Sequence, residues 1–387
     1  MHRSRILSML LLLALIIPLT GTTFLVNTPA ATAQELPGLG DPPVPPNETV
    51  VIQNGGDFRA AAAPLSVDTS SREAVRSFFN QYYVNAPQPA SGWNGDVATC
   101  NAGTTSQAYK DAISLRINFF RAMAGVPAGT GVSSVTTAKA QQAALMMRAN
   151  NDLSHDPPPD WKCYTADGAQ GAGSSNLFLY ESGWKAIDGY IRDDGPKNNE
   201  AGHRAWVLYP RTQFFGIGDI PNGANALWVF DEHAVDPAPA TREEFVSWPP
   251  PGFVPYPIVY DRWSFQYPGA DFANATITMM SNGASIPVEI DTRASRYGSG
   301  GMVWRAIGVR FPDPTHPLAE PFAGEQSFTV TISNASINGQ SRSFTYDVTV
   351  IDPDKAGTDA TASLSTTRGI PRSNVVASVS GFGKNTS

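Results

Sequence analysis

Charge is scarce in this sequence. Only 16% of the 387 residues are Asp, Glu, Lys or Arg, against roughly 25% in an ordinary globular domain. The balance is acidic, at −7. The first 33 residues hold two arginines and no acid, so the rest is more acidic still. That argues against a nucleic-acid partner or an anionic membrane surface. Cysteine is rarer, at two residues, which excludes a disulfide-dense scaffold. Neither Cys100 nor Cys163 has the CxxC or CxH spacing of a zinc site. HExxH, GxSxG and GxxxxGK[ST] are missing, which removes zincin, α/β-hydrolase and P-loop chemistry. There is no internal repeat, so no solenoid is expected. Beyond the N-terminus no apolar run reaches the ~18 residues of a membrane-spanning helix.

Proline and glycine, by contrast, are abundant at 32 and 34, and 42% of the residues are hydrophobic. That combination suits a loop-rich protein with a filled core. Residues 1–33 read as a signal peptide. Arg3 and Arg5 precede the apolar run Ile6 to Ile17, and Ala31-Thr32-Ala33 is a small-residue cleavage site, which predicts a mature start at Gln34. The alternative is a retained membrane anchor, because Phe24, Leu25 and Val26 extend the apolar stretch. In an exported chain Cys100 and Cys163 are expected to form one disulfide; two free buried thiols are the other reading.

Periodicity divides the chain. Residues 34–67, rich in Pro and Ala, are expected to be a flexible leader. Ser70 and Glu73 have capping-box spacing, and Val75, Phe78, Phe79 and Tyr82 follow on one helical face. Helices are predicted over about 107–124, 136–150, 182–193 and 200–207, with strands over 213–219 and 225–231. These elements make an α+β domain over 68–235. Residues 236–257 hold Trp248-Pro249-Pro250-Pro251 and read as a linker or the first turn of a new domain. The period then changes to two. Phe344, Tyr346, Val348 and Val350 alternate with polar residues, and Asn282-Gly283 and Asn338-Gly339 are hairpin signals. A small antiparallel β-sandwich is predicted over 258–352, with a flexible tail over 353–387.

Of five histidines, His2 goes with the signal segment, His233 follows a strand and His316 sits in a Pro-flanked loop, which leaves His155 and His203 inside the α+β domain. Two imidazoles converging in a cleft could hold a divalent metal such as zinc or exchange a proton. Zinc would also need a carboxylate, with Glu200, Glu181 or Asp194 as candidates. The bland reading is two structural histidines.

The run Ile117-Asn118-Phe119-Phe120-Arg121-Ala122-Met123-Ala124-Gly125 resembles the first helix of the bacterial CAP (SCP) family. This is the fold of cysteine-rich secretory proteins, antigen 5 and plant pathogenesis-related proteins. Gln141 to Met147 is similar to its Ala-rich second helix. His155 and Gly202-His203-Arg204 match the two cavity histidines, and Phe215-Gly216-Ile217-Gly218 and Trp228-Val229-Phe230 match the closing strands. The resemblance covers about 105–232. It implies an α-β-α sandwich with a cavity of two His and two acids, which in some members holds a metal; others bind lipids or glycans elsewhere. On this reading His155, Ser175, Asn176, Glu200, His203 and Arg204 line the cavity. The chain departs from the pattern at Ser175, which stands where the Gly-Glu-Asn motif has Glu. A hydroxyl is a poor metal ligand and no general base near neutral pH.

The reading is a secreted CAP-domain protein acting as a ligand-binding or interaction module at or outside the cell surface. The partner would be a lipid, glycan or envelope component. The alternative is a metal-assisted, peptidase-like hydrolase with His155, His203 and Glu200 as candidate catalytic residues. Trp248, Trp263 and Trp304 could form a glycan platform on the β-sandwich, or fill its core.

Overall fold

In a computed structural model, the described residues are 38–45, 58–59, 63–231, 233–311, 322–357, 361–364 and 377–380. The signal segment, the cleavage site, His2, His316 and most of the tail lie outside them.

The first layer is a five-stranded sheet flanked by helices. In chain order its elements are β1 (Phe58–Arg59), α1 (Arg72–Phe79), α2 (Gln107–Ala124), β2 (Gly131–Ser133), α3 (Ser134–Asn150), α4 (Ala166–Gly173), β3 (Ser175–Leu179), α5 (Gly183–Arg192), α6 (Gly202–Val207), β4 (Phe214–Ile220) and β5 (Ala224–Trp228). The sheet order is β1-β2-β4-β5-β3, which leaves β3 at one edge.

The helix ends follow local chemistry. Ser106 caps α2, and Gly125, with φ 73°, closes it in the left-handed conformation. The cap of α1 is Ser71 rather than Ser70: Ser71 Oγ accepts from Ala74 N at 3.3 Å. Ser70 instead bonds the Asp68 carboxylate.

Strand β3 shows how two cores form. Leu177 and Leu179 pack with Ala140, Ala144 and Met147 of α3. Phe178 faces the other way, into a core with Ile113, Ile117 and Ile187 of α2 and α5. Alternate side chains leave a strand on opposite faces, so a single sheet is covered twice, giving the α-β-α sandwich. Each large apolar side chain buried here contributes about 1.5–3 kcal/mol. Gly218 explains part of the Phe-Gly-Ile-Gly run. A Cβ there would lie 2.1 Å from the Ala140 carbonyl, so α3 rests on β4 backbone to backbone.

The second layer system begins inside the Pro-rich stretch. Strands β6 (Val246–Trp248), β7 (Gly252–Pro255), β8 (Arg262–Gln266), β9 (Ala270–Asp271), β10 (Thr276–Ser281), β11 (Ala284–Ile286), β12 (Val288–Ser295), β13 (Gly301–Ala306), β14 (Gln326–Ile337) and β15 (Gln340–Ile351) form two sheets. One runs β11-β10-β14-β15-β7 with β9 beside β14; the other runs β12-β13-β8-β6. Their faces meet through Trp263 on Phe328 (5.7 Å) and Phe265 on Phe344 (5.0 Å). β16 (Thr361–Leu364) pairs antiparallel with β17 (Ala377–Ser380).

Three sequence expectations change here. Residues 236–257 are not a free linker, because β6 pairs with β8 and β7 pairs with β15. The β7–β15 pair is parallel, so the sandwich is not purely antiparallel. Trp248, Trp263 and Trp304 are all fully buried, which decides between the two readings left open for them: they fill cores, as the commoner role of such residues suggests, and offer no exposed platform. The leader is likewise not uniformly loose: Leu39 forms a bridge with Phe178 on the free edge of β3. Cys100 and Cys163 are bonded, with Cα atoms 5.1 Å apart.

Candidate functional site

His155 lies in the loop between α3 and α4. Its Nδ1 is 2.7 Å from the Ala172 carbonyl and its Nε2 is 2.6 Å from the Asp41 carbonyl. A carbonyl oxygen only accepts and a neutral imidazole carries one N–H, so one nitrogen donates to its carbonyl while the other faces a carbonyl oxygen with its lone pair. Both ring nitrogens are thus covered by backbone oxygens. His203, in α6, is completely buried. Its Nδ1 contacts Asp193 Oδ1 at 2.7 Å, and its ring stacks on Tyr190 at 5.6 Å. In the neutral ring with Nδ1 donating to the carboxylate, Nε2 is the acceptor nitrogen. It is buried and has no hydrogen-bond partner among the described residues. Among the described residues the two histidines share no hydrogen-bond partner.

The acid beside His203 is therefore Asp193, not Glu200. Asp193 follows α5 in the left-handed conformation, φ 56°. Its second oxygen accepts from Arg204 N at 3.1 Å. Glu200 turns outward, where Oε2 accepts from Arg296 N at 3.0 Å. The signal available in sequence was the Asp193-Asp194-Gly195 helix end, where an Asp can take positive φ and reach a neighbouring turn. Of the other candidates, Asp194 pairs with Arg192 at 3.8 Å.

Ser175 and Asn176 are consecutive on β3 and leave the sheet on opposite faces. Asn176 Nδ2 donates to the His203 carbonyl at 3.1 Å. Ser175 Oγ and Asn176 Oδ1 are buried without partners among the described residues. Only Asn176 thus joins His203.

Arg204 was expected in the cavity, but its guanidinium binds backbone. It donates to Ile191 O (2.6 Å), Arg192 O (3.0 Å), Arg262 O (2.9 Å) and Ser264 Oγ (3.1 Å). Burial pushes this guanidinium down to about 10. Arg262 reciprocates from β8, donating to Asp193 O and Gly195 O at 2.7 and 2.8 Å. The Gly-His-Arg motif therefore orients a histidine and clamps the β-sandwich to the α5–α6 turn.

A buried polar chain runs behind His203. Tyr190 Oη donates to Asn225 Oδ1 at 2.8 Å, and Asn225 Nδ2 donates to Asp219 at 2.9 Å. Asp219 also accepts from Gly183 N (2.6 Å) and Tyr109 Oη (3.2 Å). Burial outweighs these donors and raises the Asp219 carboxyl to about 6, from 3.8. The folded state then binds this proton more tightly than the unfolded state. The stabilisation is complete below about 3.8 and is lost as pH rises through about 6. Urea titrations of the native chain and Asp219→Asn at pH 4 and pH 7 test this. The native-minus-variant stability should fall between those two values, by about 3 kcal/mol at most. A difference that stays flat across the range would rule it out.

The site is an α-β-α sandwich with one histidine buried against an acid and a second in the α3–α4 loop. Residues 115–231 match the CAP family model, the cysteine-rich secretory protein family, and this part of the chain is a CAP domain. No curated protein and no solved structure matches the chain.

Proposed function

We propose that the protein is an exported binding module, with a CAP domain that holds an envelope component at or outside the cell surface without hydrolysing it. The observation that carries this reading is His155, whose two ring nitrogens both face carbonyl oxygens. The neutral Ser175 supports it, since a serine supplies neither a strong ligand nor a base. The bonded Cys100–Cys163 pair supports an oxidising compartment, as does the charged-then-apolar start of the chain.

Zinc could reach His155 only by displacing one of the two carbonyl oxygens, of Ala172 or Asp41, that sit against its ring nitrogens. One observation favours the alternative, a metal-assisted hydrolase: the unpartnered, buried Nε2 of His203, an atom that a metal or a water would satisfy.

One preparation tests both. The full chain is expressed in a secreting bacterial host, recovered from the medium, sequenced from its N-terminus, and dialysed against zinc. The expected product begins at Gln34 and retains far less than one zinc per chain. Stoichiometric zinc with zinc-dependent peptide cleavage would sink the binding-module reading. Protein held in the membrane with Met1 intact would sink the export reading.

A further inference from the structure

The edge of β3 is occupied by a distant part of the same chain. Leu39 bridges Phe178, Gly40 N donates to Leu177 O at 3.3 Å, and Leu179 N donates to Gly38 O at 2.8 Å. Past this short strand the segment crosses both histidine motifs. The Asp41 carbonyl meets His155 Nε2. Pro42 and Pro43 are buried. Pro42 fills the space over Gly202, where a Cβ would lie 2.5 Å from Pro42 Cγ and 2.5 Å from the Tyr297 ring. The Pro43 carbonyl accepts from Trp206 Nε1 at 2.9 Å. Trp206 sits edge-on to Phe230 and Tyr297, at 5.1 and 6.3 Å. Just beyond, Val44 is 52% exposed.

These contacts combine two general modes of peptide recognition. An exposed sheet edge takes an extended strand through main-chain hydrogen bonds, whatever its side chains. Aromatic rings with an indole N–H take a proline step, whose stiff backbone costs little entropy to bind. We propose that the groove between the β3 edge and α6 is a peptide-binding site, that its ligand class is an extended peptide with a Pro-Pro step, and that Gly38–Pro43 is its tethered occupant. This deepens the binding-module reading, on which it rests, by naming the class of ligand. A tethered segment acts at an effective concentration on the order of millimolar. A free peptide therefore competes poorly until the segment is unseated.

Gly38 offers the means. Its φ is +89°, and a Cβ there would lie 2.2 Å from the Leu179 carbonyl oxygen. Gly38→Val in the full chain should expel the segment without altering the groove. The probe is a fluorescein-labelled peptide of residues 38–45, followed by anisotropy, with hydrogen exchange at the Leu179 amide reporting the seat. The variant should bind the peptide about tenfold more tightly than the native chain, with a faster-exchanging Leu179 amide. Adding Trp206→Phe, which keeps a ring but removes the donor, should weaken that binding about fivefold. Should Gly38→Val not fold, Gly40→Ala is the gentler variant, since its methyl meets Leu153 Cδ1 at 3.1 Å; a gain of about threefold is expected.

Equal binding by native and variant chains, or no binding once the Leu179 amide is released, overturns the proposal. An amide that stays protected in the folded variant overturns it too, because the segment is then a fixed arm. A failed peptide titration with zinc-free secreted protein counts against the groove alone. Stoichiometric zinc counts against the binding-module reading.

Discussion

Arg204→Ala is expected to lower the unfolding free energy by about 3–5 kcal/mol. The guanidinium is almost wholly buried and donates to three backbone carbonyls and a hydroxyl drawn from α5 and β8. Removing it leaves those acceptors dry, and a buried acceptor without a donor costs about 1–3 kcal/mol. Arg262 would remain on the turn at Asp193 and Gly195 but lose its counterpart. Arg204→Lys should recover little, because one ammonium cannot span a fork of acceptors. Urea denaturation followed by tryptophan fluorescence measures the loss. The CAP sandwich and the β-sandwich share one continuous apolar core, so the native chain should unfold in a single transition. A split transition in the variant would locate the damage at the clamp. A loss below about 1 kcal/mol would contradict the role assigned to Arg204.

Legibility in the sequence followed the strength of the local period. α2 is recoverable to the residue, because an apolar face repeats along it and Gly125 stops it. β14 and β15 are equally plain, since Phe328, Val330 and Ile332 alternate with exposed or half-exposed threonines around Asn338-Gly339. α4 is not legible. Its sequence, Ala166 to Gly173, holds three glycines, each a weak helix former; packing against α3 overrides that propensity. β6, β7 and the Gly38–Pro43 segment are hidden for a related reason. Proline marks a loop in sequence, yet it is allowed at a sheet edge, where its missing N–H is not needed.

The site was legible in part. The positions of His155 and His203 are carried by the motifs, but the partners of each lie far along the chain or in its turns. Asp193 takes the place given to Glu200, and it does so through a left-handed helix end whose mark in the sequence is the short Asp193-Asp194-Gly195 run. The Asp41 carbonyl on His155 could not be seen at all, because backbone groups leave no mark on composition.

Loss of the disulfide is expected to cost about 4 kcal/mol, the value the chain-entropy model gives for a loop of 63 residues. The loop between Cys100 and Cys163 contains α2, β2 and α3, and so the two main helices on opposite faces of the sheet. The bond shortens the unfolded chain over the region that must build both cores. Both cysteines take positive φ, 57° and 63°, a conformation uncommon outside glycine, so the local backbone gives the bond little help. Hydrogen bonds do anchor the two loops. Trp93 Nε1 donates to Ala102 O at 2.8 Å, and Asn150 Nδ2 donates to Lys162 O at 3.0 Å. The folded loops should therefore keep their places when the link is cut, and the loss should arise in the unfolded state. Denaturation of the Cys100→Ser, Cys163→Ser double variant, beside native protein held in reductant, separates these contributions. Both should fall by a similar amount, with near-native circular dichroism before unfolding. A loss of less than about 1 kcal/mol would mean that the unfolded chain is already compact across this loop. A change in the folded spectrum would mean that the bond also shapes the native loops around His155.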